Sequence, residues 1–154
     1  MGIFFPDCTY LTVSGLHWNG RVEGRAEKTE AALDFVRRLM NADIPQIAIE
    51  NPVGCISTRI RTPDQTVQPY DFGADASKRT CFWLKNLPRL KAPRGMRVPG
   101  RMVEWPRGSG KMVERWANQT DSGQNALPPS DDRAEERSRT YWGIATQMAE
   151  QWGS

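Results

Sequence analysis

The chain has 154 residues, is 38% hydrophobic and 25% charged, and has a formal net charge of +3. That is one domain's worth of sequence with enough apolar content for a single core, and no apolar run approaches membrane-spanning length. Cys8, Cys55 and Cys81 are odd in number, widely spaced and without a CxxC pair, which argues against a disulfide framework or a zinc knuckle.

His17 is the only histidine, so no His-rich metal site is expected, and a Ser-His or Cys-His dyad would have to use it. Residues 1–5 are too few for a signal-peptide core and carry no basic flank. Pro6 stands where a myristoylation motif wants Ser or Thr. The expected compartment is the reducing cytoplasm, and no membrane partner is expected.

In chain order, Ile3-Phe4-Phe5 reads as a buried strand ended by Pro6-Asp7-Cys8. Residues 9–25 hold three glycines and read as a long loop. Ala32, Phe35, Val36, Leu39 and Met40 recur at helical spacing, which predicts an amphipathic helix over 27–41, stopped before Pro45. Gln46-Ile47-Ala48-Ile49 is a second short strand, ended by Glu50-Asn51-Pro52. Strand, helix, strand is a βαβ unit, hence a parallel pair.

Thr66–Tyr70 and Thr80–Leu84 are further strand candidates, and the polar stretch between them suits an antiparallel hairpin at the sheet edge. Residues 92–130 show no steady period and read as a basic, partly irregular excursion. A final helix is predicted from Ser130-Asp131-Asp132, continuing through Tyr141, Ile144, Ala145, Met148 and Trp152.

The net charge hides a segregation. Between Arg89 and Arg115 lie eight basic and two acidic residues, a local excess of +6. Arg94, Arg97, Arg101, Arg107 and Lys111 are therefore candidate contacts to a nucleic-acid backbone, although charge alone is equally compatible with a solvated loop. Gly108-Ser109-Gly110-Lys111 is not a phosphate loop, because Trp105 holds the first glycine position and Met112 follows the lysine. Asn118-Gln119-Thr120 is a glycosylation sequon, irrelevant in a cytoplasmic protein.

The ends of adjacent parallel strands are where ligands sit in such sheets. Cys8 and Glu50 occupy equivalent positions there, on one rim. A thiol acts as thiolate and needs access, which the strand end offers, while the neighbouring Asp7 opposes its ionisation. The alternative is a buried structural cysteine. A carboxyl closing an apolar strand holds its proton more readily and can donate it to a ring nitrogen; the alternative is an ordinary acidic strand end. Asn51-Pro52 stiffens the turn behind Glu50. Arg59, Arg61, Lys78 and Arg79 lie in neighbouring loops, where they either hold phosphate or a base edge or are simply solvated.

Taken in order, FFPDC, IENPV and YDFGADASKRTCFWLK resemble the second half of a DNA cytosine-5 methyltransferase. In that family a Pro-Cys after one strand carries the nucleophile, a Glu-Asn-Val after the next carries the acid, and a later arginine-bearing stretch contacts the base. The chain is more similar still to short phage and prophage methyltransferase-like proteins. It shares with them a Pro-Cys-Thr-Tyr-Leu-like run, Ile-Glu-Asn-Pro, a run ending TCFWLKNLPRL, and the ending ERSRTYWGIATQMAEQWG. The resemblance covers about residues 3–90 and 131–153.

It implies that Cys8 attacks carbon 6 of a flipped cytosine, that Glu50 engages ring nitrogen 3 and that Arg79 supports the pair. Pro6, Thr9, Asn51, Arg59, Arg61 and Lys78 would line the substrate side. The cofactor implied is S-adenosylmethionine and the partner DNA. Departures are Asp7 for a second proline, Pro52 for valine, and Cys81 for a second arginine. The family's first three strands, with their glycine-rich cofactor loop, have no counterpart, and no GxGxxG occurs.

The expected fold is thus an α/β, incomplete Rossmann-like, mostly parallel sheet with a crossover helix, an edge hairpin and a C-terminal helix. Residues 1–154 would form a single domain lacking the cofactor-binding half. Its bare first strand would pair with a second copy or a complementing chain, or be covered by residues 92–130. The alternative function is a non-enzymatic phage-type protein that binds nucleic acid or nucleotide.

Overall fold

The computed structural model describes residues 1–128 and 139–153. The chain is α/β and divides into two compact units. The first comprises Met1–Val67 with Arg79–Arg89, and the second comprises Gln68–Lys78 with the chain from Leu90 onward.

The first unit is built on a four-stranded mixed sheet. Its strands are β1 (Gly2–Phe4), β2 (Ile47–Pro52), β3 (Gln65–Val67) and β4 (Thr80–Lys85), in the order β1-β2-β4-β3. β1 and β2 are parallel, with Gly2 opposite Ile47 and Phe4 opposite Ile49. β4 runs antiparallel to both of its neighbours. The expected edge hairpin exists, but its second strand lies inside the sheet, between β2 and β3, so parallel pairing is confined to one pair.

The crossover between β1 and β2 contains two helices. Helix α1 (Val13–Leu16) is a single turn whose Thr12 cap accepts from the Gly15 amide at 3.2 Å. The sequence reads this stretch as loop, because one turn carries no periodicity. Helix α2 (Arg25–Met40) starts two residues earlier than its stripe predicts. Its buried residues are Thr29, Leu33 and Val36, while Phe35 is 44% exposed. Burying Leu33 and Val36 contributes about 1.5–3 kcal/mol each. They join Ile47, Ile49, Cys81 and Trp83 on one face of the sheet. Because side chains alternate along a strand, Ala48 and Glu50 take the opposite face of β2.

After β2 comes a short helix, α3 (Ile56–Arg59). β3 stops at Val67, since Pro69 opens a 3-10 turn over Pro69–Phe72 where the sequence pattern extended the strand to Tyr70.

The second unit contains a two-stranded antiparallel ribbon, β5 (Arg101–Glu104) and β6 (Met112–Arg115), inside the stretch read as irregular. β5 is largely exposed and β6 mostly half-buried, with no buried residue in either, so no hydrophobic alternation announces them. Tyr70 and Trp116 stack at 3.9 Å with ring planes 7° apart, and the Arg97 guanidinium lies 5.3 Å from the Tyr70 ring centre.

Arg97 also meets Glu114 at 2.6 Å. That contact lowers the Glu114 carboxyl's pKa and raises that of the guanidinium. Asn118 uses its whole amide on Ser77, accepting from its N–H and donating to its carbonyl, both at 2.9 Å. Helix α4 (Trp142–Trp152) buries Ile144, Met148 and Trp152, and its Gly143 abuts the Phe72 carbonyl so closely that no Cβ fits. Residues 139–141 are not helical, and the helix start expected at Ser130 lies outside the described residues.

Candidate active site

Two loops leave the carboxyl ends of β1 and β2. The first, Phe5–Thr12, carries Cys8, and the second, Val53–Cys55, follows Glu50, Asn51 and Pro52. The parallel register continues from the Phe4–Ile49 pair directly into both.

They are fastened to each other by one side-chain amide and by backbone. The Asn51 amide Nδ2 donates to the Pro6 carbonyl at 2.8 Å, two residues before Cys8. The Cys55 N–H donates to the Leu11 carbonyl at 2.8 Å, and Thr12 bridges Gly54 in antiparallel fashion. Gly54 is required there: any Cβ would fall inside contact distance of the Leu11 carbonyl oxygen.

The Cys8 loop is also held from within and from α2. Asp7 Oδ1 accepts from the Thr9 N–H at 2.8 Å and from the Thr9 hydroxyl at 2.6 Å, closing a local turn. The amides of Leu11 and Thr12 both donate to the Cys8 carbonyl. Arg25 donates to the Thr9 carbonyl at 3.2 Å and to that of Gly15 at 3.3 Å, and its guanidinium sits over the Tyr10 ring. The buried Thr29 hydroxyl donates to the Tyr10 carbonyl. The loop is therefore a built, rigid element, and Leu11 is fully buried beneath it.

Of the three thiols, Cys8 is half-buried and the other two are buried. Burial pushes the Cys55 and Cys81 thiols up, the nearby Arg59 and Arg79 charges only partly offsetting it. The Glu50 charge also acts on Cys81 in the same upward direction, but from the opposite face of the sheet, since Cys81 lies across from Asn51 and Glu50 across from Phe82 in the β2–β4 pair. Glu50 itself is 8% exposed. At neutral pH, iodoacetamide is expected to alkylate Cys8 well ahead of Cys55 and Cys81. Peptide mass spectrometry reads this directly, and equal rates at all three would contradict the burial assignment.

A cavity of about 350 Å3 lies between the Cys8 loop and α2, walled by Pro6, Tyr10, Leu11 and Phe35, with Asp7 and Lys28 as its polar groups. Neither Cys8 nor Glu50 lines it. Sequence reasoning placed Phe35 in the core and so missed this wall; an aromatic ring at the edge of a helical stripe was the only signal.

The remaining expected residues are distributed as follows. Arg59 pairs with Glu30 of α2 at 2.8 Å. Arg61 pairs with Asp64 at 2.8 Å and donates to the Leu84 carbonyl, which aligns it with the start of β2 and not with the end that bears Glu50. Lys78 belongs to the second unit, where it donates to the Arg139 carbonyl at 3.1 Å. Arg97 and Arg101 are engaged by Glu114 and Asp121. Arg94, Arg107 and Lys111 form no ion pair among the described residues.

No group of three or more His, Cys, Asp or Glu side chains suited to a metal occurs among the described residues. No described helix is long and apolar enough to cross a membrane. Comparisons with family models, curated proteins and solved structures returned no match.

Proposed function

We propose that the chain is the cytosine-engaging half of a DNA cytosine-5 methyltransferase-like protein, with an incomplete Rossmann-like sheet. The supporting observation is the fastening of the Cys8 loop to the Glu50-Asn51 strand end through the 2.8 Å Asn51–Pro6 hydrogen bond. Two chemically different side chains that act on one ring need their carrier loops held in fixed relation, and preorganisation of that kind is what catalysis requires.

In this reading the Cys8 thiolate forms a bond to carbon 6 of an extruded cytosine, and Glu50 gives a proton to ring nitrogen 3. The electron pair of the C5–C6 double bond moves into the ring, leaving carbon 5 nucleophilic. Carbon 5 then takes a proton from solvent. Loss of a proton from carbon 5 to solvent, departure of the thiolate and return of the N3 proton to the Glu50 carboxylate restore the base. By the family resemblance, Arg79 supports the Cys8–Glu50 pair.

The described residues do not fit S-adenosylmethionine. No glycine-rich turn joins a strand to a helix, and the Asp7 carboxylate beside the apolar cavity is spent on Thr9. Methyl transfer therefore requires a donor-binding part that the described residues do not supply. The edge of β1 away from β2 pairs with no strand among the described residues, and Met1 and Phe5 near it are more than half exposed. A sheet edge of this kind accepts another chain, whether a complementing one or a second copy. Arg94, Arg107 and Lys111 supply backbone contacts to DNA.

The test needs no methyl donor. Incubated in D2O with a cytosine-containing oligonucleotide, the protein should place deuterium at carbon 5, read by mass spectrometry. Cys8→Ala should abolish the exchange, and Glu50→Gln should slow it by at least about 100-fold. Wild-type protein that gives no exchange but binds the oligonucleotide with strong salt dependence favours the second reading, a non-enzymatic nucleic-acid binder.

A further inference from the structure

A cavity of about 500 Å3 in the first unit lies at the other end of β2 from Glu50. Its apolar lining includes Ile47, Ile60 and Trp83, and its cations are Arg37, Arg61 and Lys85. No carboxylate lines it. We propose that this cavity is a binding site for a small amphipathic anion: an aromatic or aliphatic body carrying a single carboxylate or phosphate.

Three features carry the assignment. The volume falls in the range of about 300–1,000 Å3 typical of small-molecule sites, which combine apolar walls with a few convergent polar groups. The floor is preformed: Ile47 and Trp83 are each only 1% exposed, and the Trp83 indole N–H is fixed by the Arg61 carbonyl at 2.8 Å. The rim is fixed as well. Asn86 adopts a left-handed conformation (φ 54°), donates from Nδ2 to the Pro45 carbonyl at 2.8 Å, and accepts from Gln46 at its own carbonyl. A preformed site loses little ordering entropy when it is filled.

The charge is unbalanced in favour of an anion. Lys85 donates to the Ala42 carbonyl at 3.0 Å and has no ion pair among the described residues. Arg37 and Arg61 do meet Asp34 and Asp64, but those pairs are solvent-exposed and screened, and both carboxylates lie outside the lining. An inorganic anion would leave the half-buried Met40, Ile60 and Leu84 surfaces of the lining wet, whereas a neutral hydrophobe would leave Lys85 without a countercharge. The ligand class that satisfies both has an acid on an apolar body.

The probe is 2-naphthoate, compared with its uncharged amide, 2-naphthamide, in titrations of the 15N-labelled full chain followed by NMR. The acid should give saturable shifts at the Trp83 indole N–H and at the amides of Ile47 and Asn86. The amide should bind about tenfold or more weakly. Arg37→Ala with Lys85→Gln should weaken the acid about tenfold or more and leave the amide unchanged. Absence of saturable shifts, equal affinity for acid and amide, shifts centred elsewhere, or indifference to the paired substitution in a folded variant would each overturn the site. The acid–amide comparison uses only the wild-type chain. The deuterium-exchange experiment reads the opposite end of β2, so either result can fail alone.

Discussion

Gly54→Ala should lower the stability of the first unit by about 3 kcal/mol, near the upper end of what overpacking costs. The added methyl would overlap the Leu11 carbonyl oxygen and approach the Thr12 backbone, and backbone cannot step aside as a flexible side chain can. Relief requires the Leu11–Thr12 segment to withdraw, which removes the Cys55–Leu11 hydrogen bond and the Thr12–Gly54 bridge together. Leu11, fully buried, would then lose part of its packing.

Gly20→Ala is the control. A Cβ there meets nothing within 4 Å, and no left-handed conformation is required. That change should be neutral or stabilise by about 0.4–1 kcal/mol through the unfolded chain. Urea unfolding monitored by circular dichroism distinguishes the two. Equal midpoints for Gly54→Ala and wild type would mean that the two loops are not fastened as described. A second readout follows from the same contact: in the Gly54 variant, alkylation of Cys8 should accelerate, because its loop has lost its mooring.

The portion of this arrangement that could be read from the sequence is the portion with strong local signals. Ile3–Phe5 and Gln46–Ile49 are short apolar runs joined by a helical stripe, and the parallel β1–β2 pair with α2 between them follows from those runs alone. The same topology predicted Cys8 and Glu50 just past neighbouring strand ends; Cys8 does lie in the loop after β1, whereas β2 runs on to Pro52 and holds Glu50 inside the strand, opposite Phe82. What fastens those ends was not legible. Asn51, Gly54 and Arg25 are polar or small, and their partners, Pro6, Leu11 and Thr9, are backbone carbonyls that any residue would supply.

Of the predicted α2 stripe only Phe35 is turned outward: Val36 is buried and Ala32, Leu39 and Met40 pack against the core, while Thr29 and Leu33, outside the stripe, complete the buried face. β4 reads as one arm of an edge hairpin because β3 precedes it. Its insertion against β2 depends on the pairing of Ile49 with Trp83 and Asn51 with Cys81, which is long-range. The β5–β6 ribbon, whose Met-Val pairs are followed and flanked by charged residues with Met102 and Met112 exposed, had no hydrophobic period to reveal it.

Asn51→Asp should turn the link between the two loops into a pH-dependent one. In the wild type, the Asn51 Nδ2 donates to the Pro6 carbonyl, and Asn51 Oδ1 is the one buried side-chain nitrogen or oxygen without a hydrogen-bond partner among the described residues. Asn51 is 1% exposed. A protonated carboxyl introduced at this position can still donate to Pro6. An ionised one cannot: it would place a buried negative charge against a carbonyl oxygen, which raises the carboxyl's folded-state pKa above the unfolded value of about 3.9.

The sign follows from proton counting. Above about pH 3.9 the unfolded variant releases the proton that the folded variant retains, so stability falls as pH rises. The fall continues at about 1.4 kcal/mol per pH unit until the folded-state pKa is passed, which amounts to about 4 kcal/mol by pH 7 if burial raises the pKa by three units. Asn51→Leu, which cannot ionise, should show no difference in pH slope from wild type, only a constant loss of about 1–3 kcal/mol for the unpaired Pro6 carbonyl. Parallel stability–pH curves for the aspartate variant and wild type between pH 4 and 7 would mean that position 51 is open to water, and the fixed relation between the Cys8 loop and the Glu50 strand end would go with it.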